Sequence, residues 1–334
     1  MNITYLFRSK AQKLYSVERV FHSIIPKVAL KADVSEQYMP RFRARPGSMF
    51  SNLVFARQLH GDVVHITGDV YYAALSTPKD KTIVTVLDLV SLENSKGVKK
   101  SIIKLLWYTL PLRRCKYITC ISEKTKQELL EVFPTLENKT FVVECPVGDE
   151  FLFSPKQFNR ECPVILQIGT KDNKNLIRLV EALDGIKCEL RIVGKLKDEY
   201  IQALKEHSIK YINVYDISDS EMVEQYINCD MLAFVSTYEG FGVPIIEAQA
   251  IGRPVITSNI EPMVSVAGGG ATLVNPLDIS KIRDGILRII NDDEYRERLV
   301  ALGKRNALRF STEAIANKYY RLYEKVIQSE GSKV

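Results

Sequence analysis

No stretch of this 334-residue chain approaches the roughly 20 consecutive apolar residues that a membrane-spanning helix needs. The opening residues, Met1 to Arg8, lack the basic-then-apolar layout of a signal peptide and read as a first strand, which points to the cytoplasm. Cysteine is sparse and scattered, at 115, 120, 145, 162, 188 and 229, with neither zinc-knuckle spacing nor the pattern of a secreted disulfide framework. These read as buried or incidental thiols in a reducing compartment. Glycine is missing where a dinucleotide-dependent oxidoreductase would need it. The first strand runs into Arg8-Ser9-Lys10-Ala11, where that class has Gly-x-Gly-x-x-Gly. No recognised nucleic-acid reader motif occurs, so no nucleic-acid partner is expected. Low complexity is confined to the short polar tail at 329–334.

What is present is ordinary globular composition, 46% apolar and 26% charged, at a length suited to two domains. The net charge of +6 is unevenly placed. Residues 1–150 hold 22 Lys+Arg against 15 Asp+Glu, while the remainder holds 24 against 25. A one-sided basic domain suits an anionic partner such as a membrane surface, a nucleic acid or a phosphorylated substrate.

Short β-rich runs alternate with helical stretches throughout. In the first half strands are expected at 3–7, 63–67, 82–87, 117–121 and 140–144, with helices at 16–25, 99–110 and 123–131. In the second half strands are expected at 164–169, 189–193, 211–214, 231–235, 254–257 and 271–273. Helices are expected between and after them, at 175–183, 197–206, 220–228, 244–250 and 279–291. Strands separated by helices of this length imply parallel sheets with right-handed crossovers, an α/β architecture of two Rossmann-like domains. Two prolines and a glycine in 145–155 mark the linker. Residues 1–150 and 151–310 are therefore read as domains, and 311–334 as a closing amphipathic helix capped by Ser311 or Thr312.

The most informative segment is Glu239-Gly240-Phe241-Gly242-Val243-Pro244-Ile245-Ile246-Glu247, directly after a buried strand. Two glycines let backbone approach a ligand, and Pro244 suits the first turn of a helix. A helix N-terminus at the carboxyl end of a parallel strand is where α/β proteins bind ligands, and its bare amides favour phosphate. Glu239 and Glu247 flank this turn as acceptors for sugar hydroxyls. Helix-dipole preference and simple turn formation also account for these residue types.

This segment resembles the E-x7-E motif of retaining GT-B glycosyltransferases of family 4, the glycosyl transferases group 1. The likeness extends over nearly the whole chain. Residues 164–169 with Lys174-Asn175 resemble the first strand and turn of the family's C-terminal domain. Residues 117–126 resemble its "ITVSxxTK" stretch, 268–276 the segment after the last donor-site strand, and 310–323 the closing helix that crosses back to the N-domain. The resemblance implies a GT-B fold, two domains facing a cleft, with donor binding mainly in the C-terminal half. It implies that Glu247 binds the donor ribose, that Glu239 contacts the donor sugar, and that the amides of Gly240, Phe241 and Gly242 face diphosphate or sugar. Lys174 would neutralise the diphosphate as the leaving group departs. Many members pair that lysine with an arginine after the strand glycine; here the place is held by Thr170, with Lys171 as the substitute cation. The base would lie near Gly194 and the turn at 215–218.

The acceptor side departs from the family pattern. Thr67 stands where some members have the second histidine of His-x-His, and Leu87 precedes Asp88 where many have His-Asp. Asp69 and Asp88 sit at strand ends and either bind an acceptor hydroxyl or cap a turn. His65 reads as a strand residue in a polar contact. Basic residues of the loop 8–14 are candidates to meet a phosphorylated acceptor. No Asp-x-Asp sequence occurs, which removes the usual metal–diphosphate site of the other major glycosyltransferase fold. The expectation is therefore a metal-independent enzyme without cofactor, with front-side attack assisted by the leaving phosphate. Its donor would be a UDP-, GDP-, ADP- or dTDP-linked sugar and its acceptor a glycan or lipid-linked glycan of cell-surface polysaccharide or lipopolysaccharide. Residues 96–117 mix lysines with large apolar side chains, so Trp107 and Tyr108 are expected at headgroup level of an anionic membrane, or else the segment is a core helix with a solvated basic face. Membrane contact there would place the protein at the inner face of the cell membrane. A non-catalytic nucleotide-sugar-binding subunit and a sugar-nucleotide epimerase are the competing readings.

Overall fold

Runs rich in Val, Ile, Leu and aromatic residues become parallel strands here because helices cover both faces of each sheet. The computed structural model describes residues 1–11, 16–42, 45–93 and 97–331. It divides into two units, Met1–Pro146 with Thr312–Val334, and Val147–Ser311.

In the first unit the elements are β1 (Asn2–Phe7), α1 (Ser16–Ala29), β2 (Asp33–Tyr38), α2 (Pro46–Arg57), β3 (Val63–Ile66), β4 (Thr82–Val86), α3 (Val90–Glu93) and α4 (Gly97–Ile103). A π-helical turn, Lys104–Thr109, leads into α5 (Leu110–Arg114), β5 (Tyr117–Cys120), α6 (Glu123–Val132) and β6 (Thr140–Val142). The strands form one parallel sheet in the order β2-β1-β3-β4-β5-β6. Alternation along β1 divides the core between the two faces. Ile3, Tyr5 and Phe7 meet α1 and the last helix, α14 (Thr312–Gly331), whereas Leu6 joins Val64, Val84 and Ile118 beneath α2, α5 and α6.

The closing helix is fixed to this sheet by polar as well as apolar contacts. Tyr323 Oη donates to Tyr5 Oη at 2.9 Å and lies 2.8 Å from His65 Nδ1, while His65 Nε2 lies 2.7 Å from Thr85 Oγ1. A neutral imidazole protonated on Nδ1 satisfies this network, and complete burial pushes the His65 pKa down to about 3. Ile315, Leu322 and Val326 add apolar burial, each on the order of 1.5–3 kcal/mol at most.

The second unit runs β7 (Val164–Ile168), α7 (Leu176–Leu183), β8 (Glu189–Val193), α8 (Asp198–Glu206), β9 (Lys210–Val214), α9 (Asp219–Asn228) and β10 (Met231–Phe234). It continues with α10 (Val243–Ile251), β11 (Val255–Ser258), α11 (Met263–Ala267), β12 (Thr272–Val274), α12 (Ile279–Asn291) and α13 (Asp293–Ala307). The sheet order is β12-β11-β10-β7-β8-β9, all parallel.

Five elements escape the sequence pattern: β2, α2, α3, α11 and α13. The strand β2 is an edge strand of mostly polar, solvent-facing residues, so it carries no apolar signature. The helix expected at 99–110 is instead α4, the π turn and α5 in succession, and Thr109 Oγ1 donates to the carbonyl of Lys104 at 2.8 Å within the widened turn. Trp107 and Tyr108 turn inward. Tyr108 is buried against Tyr71 and Phe133, and the Trp107 indole N–H donates to the carbonyl of Asp69 at 3.1 Å. The exposed apolar residues of this run are Ile102, Leu105 and Leu110. Lys96, counted in the basic stretch, lies outside the described residues. No described helix is long and apolar enough to cross a membrane.

Candidate functional site

In the second unit β7 lies between β8, which follows it in sequence, and β10, which comes later. The strand order reverses at that pair, so the turns leaving β7 and β10 diverge at a topological switch point, the usual ligand position of an open α/β sheet. Both turns carry residues singled out in the sequence.

The turn after β7 is shaped for a lysine. Gly169 adopts φ +88°, and a Cβ there would come within 2.9 Å of Lys174 Cε, so the lysine stem lies across the bare glycine. Lys174 Nζ sits 4.6 Å from the centroid of the Phe234 ring and 2.6 Å from Glu239 Oε1. Behind it, Gln167 Nε2 donates to the carbonyls of Gly169 and Lys174 at 3.3 and 3.2 Å.

Two asparagines bind this turn to the one after β10. Asn173 Nδ2 donates to the carbonyl of Tyr238 at 2.8 Å, and its own carbonyl accepts from the amide of Thr237 at 2.8 Å. Asn175, in the left-handed region at φ 59°, donates from Nδ2 to the carbonyls of Val235 at 3.0 Å and Pro276 at 2.6 Å. Sequence reading did not identify Asn173, Gln167 or Phe234 as part of the site. Their signal lies in which loops they join, which no local pattern encodes.

The turn after β10 meets α10 as expected. Gly242, at φ +107°, is the N-cap and Pro244 lies in the first turn. Glu247 lies one turn in and is buried, and Tyr226 of α9 donates to its Oε2 at 2.5 Å. Phe241 does not offer its ring to a ligand. The side chain is buried in an edge-to-face contact with Phe310 at 5.7 Å, leaving only its backbone for binding.

On the far side of the β7 turn, the Thr170 hydroxyl donates to the carbonyl of Lys195 at 2.8 Å, and a Cβ at Gly194, whose φ is +135°, would lie a tight 3.0 Å from the Thr170 side chain. Lys171 is exposed at the start of the next turn and makes no ion pair with the described residues. Its neighbour Asp172 is held below the usual carboxylate range by Lys197, then Tyr200.

The acceptor-side candidates fare differently. Thr67 is wholly buried and donates its hydroxyl to the carbonyl of Leu6 at 3.1 Å, so it continues the sheet rather than facing a ligand. Asp88 Oδ1 accepts from the amide of Val90 at 3.1 Å, a turn-capping contact. Asp69 is 56% exposed, 3.8 Å from Arg8 Nε. Arg8 is not available to a phosphorylated acceptor: it is buried and its Nε and Nη2 engage both oxygens of Glu18 at 2.9 and 2.7 Å. Residues 12–14 of that loop lie outside the described residues. Among the described residues no group of three or more His, Cys, Asp or Glu side chains is placed to hold a metal. A cavity of about 680 Å³ opens at the other end of the second sheet, beside Asp230 and Pro254, and takes in neither Lys174 nor Glu239.

The model of "Glycosyl transferases group 1" matches residues 149–306. The O-antigen chain mannosyltransferase B of Escherichia coli is 26% identical over 239 residues, 64% of this chain and 61% of the relative. The MMP alpha-(1->4)-mannosyltransferase of Mycolicibacterium hassiacum is 27% identical over 64% of this chain and 55% of its own. The chain thus spans little more than half the length of these relatives. The capsular polysaccharide biosynthesis glycosyltransferase CapM of Staphylococcus aureus is 28% identical over 78% of this chain and 74% of its own. Among solved structures, sucrose-phosphate synthase from Thermosynechococcus elongatus superposes with a TM-score of 0.79 at 16% identity, covering 98% of this chain and 100% of that one. HepE of Anabaena, in complex with UDP and glucose, gives 0.79 at 15% identity, covering 96% and 99%. Residues 149–306 thus resemble the group 1 glycosyl transferases, and the two parallel-sheet units have the GT-B fold.

Proposed function

We propose that this chain moves a sugar from a nucleotide-sugar donor to a glycan or lipid-linked acceptor, with retention of anomeric configuration, in the assembly of cell-surface polysaccharide or lipopolysaccharide. One observation carries the reading: Lys174 and Glu239 meet at the carboxyl ends of adjacent strands, beside the N-terminus of α10. A sugar diphosphate needs a cation and bare amides at its phosphates and carboxylates at its hydroxyls. Entry of the donor exchanges the Lys174–Glu239 contact for Lys174 on diphosphate and Glu239 on the sugar. The amides from Gly240 to Gly242 face the phosphates and Glu247 takes the ribose diol. As the glycosidic C–O bond breaks, charge builds on the departing phosphate oxygen, and Lys174 and the helix end hold it without a metal. That oxygen takes the proton from the acceptor hydroxyl attacking the same face of the sugar, which gives retention.

Relatives named as mannosyltransferases favour mannose as the sugar, and lipid-linked chemistry is in the name of a Campylobacter jejuni relative, an N,N'-diacetylbacillosaminyl-diphospho-undecaprenol N-acetylgalactosaminyltransferase. Exposed Ile102, Leu105 and Leu110, with Lys100, Lys104 and Arg113 around them, suit peripheral contact with an anionic membrane. The test is a thermal-shift panel of UDP, GDP, ADP and dTDP, followed by hydrolysis and transfer assays with the corresponding mannose and glucose donors. Stabilisation by one nucleotide, with turnover lost in Glu239→Ala and Lys174→Ala, is expected. Folded, fully active variants would refute the site; nucleotide binding without any turnover would favour a non-catalytic subunit.

A further inference from the structure

We propose that Tyr226 is a positioning residue of the donor site, holding Glu247 in the orientation that receives the ribose diol. The inference rests on the donor reading above. Tyr226 lies on α9, 21 residues before Glu247, on an element that contributes none of the residues expected to touch the donor. The phenol is wholly buried and donates to Glu247 Oε2 at 2.5 Å, a short bond of the kind made to a charged acceptor. Tyr226 is itself held on two sides. Its ring meets Phe151 edge-on at 5.5 Å, and its carbonyl accepts from Arg253 Nε at 3.0 Å and from Cys229 Sγ at 3.3 Å.

Glu247 is 6% exposed, on a helix whose other residues, Gln249 apart, are apolar. A carboxylate in such surroundings is stable only with donors aimed at it. It has two oxygens and about four lone-pair sites, so a phenol on Oε2 leaves acceptor capacity for a ligand while removing the freedom to rotate. A vicinal diol needs both hydroxyls aimed at a carboxylate of fixed orientation. Tyr226 supplies that fixation before the donor arrives, which lowers the ordering cost of binding.

The test uses the full chain and calorimetric titration of UDP, GDP and ADP, each beside its 2′,3′-dideoxy counterpart, which lacks the hydroxyls Glu247 would receive. Tyr226→Phe is expected to weaken the best-binding ribonucleotide about tenfold, the scale of one hydrogen bond to a charged group, and to leave the dideoxy compound within about twofold. Equal weakening of both compounds, or of neither, overturns the proposal. Glu247→Gln tests the underlying reading separately: if the substitution weakens both compounds equally, or neither, Glu247 does not bind ribose. If Tyr226→Phe alone does not fold, the Tyr226→Phe/Glu247→Gln pair removes the stranded charge. It should bind ribonucleotide no more weakly than Glu247→Gln, and a further loss in the pair would defeat the positioning role.

Discussion

Lys174 and Glu239 stand 65 residues apart in sequence and 2.6 Å apart in space, with side chains 16% and 14% exposed. Each is the other's partner until a ligand intervenes. A cation aimed at a leaving diphosphate acts in the transition state, where removal of one such donor costs about 100-fold or more. Lys174→Met should therefore lower kcat by at least about 100-fold while the fold persists by circular dichroism. Under the proposed function Glu239→Gln frees the lysine and removes the acceptor of the sugar hydroxyls, so it should affect the nucleotide sugar far more than the free nucleoside diphosphate. Equal effects on both ligands would remove Glu239 from the sugar site.

Gly169 offers a subtler probe. An alanine there meets two penalties, a left-handed backbone at φ +88° and a Cβ within 2.9 Å of Lys174 Cε. The backbone term should cost about 1–2 kcal/mol of stability, read from chemical denaturation. The lysine side chain can swing away, so the steric term is relieved by moving the ammonium from Phe234 and Glu239. Activity should consequently fall well beyond the fraction unfolded. A Gly169→Ala protein with reduced stability and normal turnover would show that the position of Lys174 does not matter.

How far the sequence carried this picture depends on the range of each interaction. β1 and β10 were legible because short runs, buried throughout apart from Asn2, need only their own apolar residues. The turn at 239–247 was legible because glycine, proline and acid at fixed offsets describe a strand-to-helix junction locally. Asn175 was visible only as part of a lysine–asparagine turn; its left-handed backbone and its bonds to Val235 and Pro276 depend on chain 60 and 101 residues away. Thr67 was a candidate because it holds the place of the second histidine of His-x-His, yet the neighbouring strand supplies the Leu6 carbonyl that consumes its hydroxyl. Phe241 lies inside the 239–247 turn while its ring serves the core against Phe310. Arg8 read as a free cation because Glu18 belongs to the next helix and pairs with it only after folding.

His65 makes stability depend on pH with a definite sign. The folded protein keeps the imidazole neutral, with a pKa near 3 against about 6.5 unfolded, so between those values the unfolded chain binds more protons. The contribution is fully present above pH 6.5 and is lost as pH falls toward 3, at up to about 1.4 kcal/mol per pH unit. His65→Gln keeps a polar side chain that does not titrate. Denaturation midpoints at pH 7.5 and 5 should differ less in this variant than in the wild type. Indistinguishable slopes would show that other groups set the acid sensitivity.

Membrane contact, if made through the 97–114 run, must use the residues that face outward. Ile102, Leu105 and Leu110 are 49%, 48% and 41% exposed, whereas Tyr108 is sealed in the core and Trp107 bonds to Asp69. No acidic residue interrupts 94–122, so lysines and arginines surround this apolar strip without internal compensation. Binding to phosphatidylglycerol vesicles should exceed binding to phosphatidylcholine vesicles and weaken with salt, since attraction between surface charges is screened within about a Debye length. The triple variant Ile102→Ser, Leu105→Ser, Leu110→Ser should co-sediment at least about tenfold more weakly, because each side chain forfeits on the order of 1 kcal/mol of transfer energy. Trp107→Phe, which removes the indole N–H bonded to Asp69 and shrinks the ring, should leave vesicle binding unchanged. Loss of binding in Trp107→Phe but not in the triple variant would reverse the assignment of which face meets lipid, and equal affinity for neutral and anionic vesicles would remove the electrostatic half of the argument.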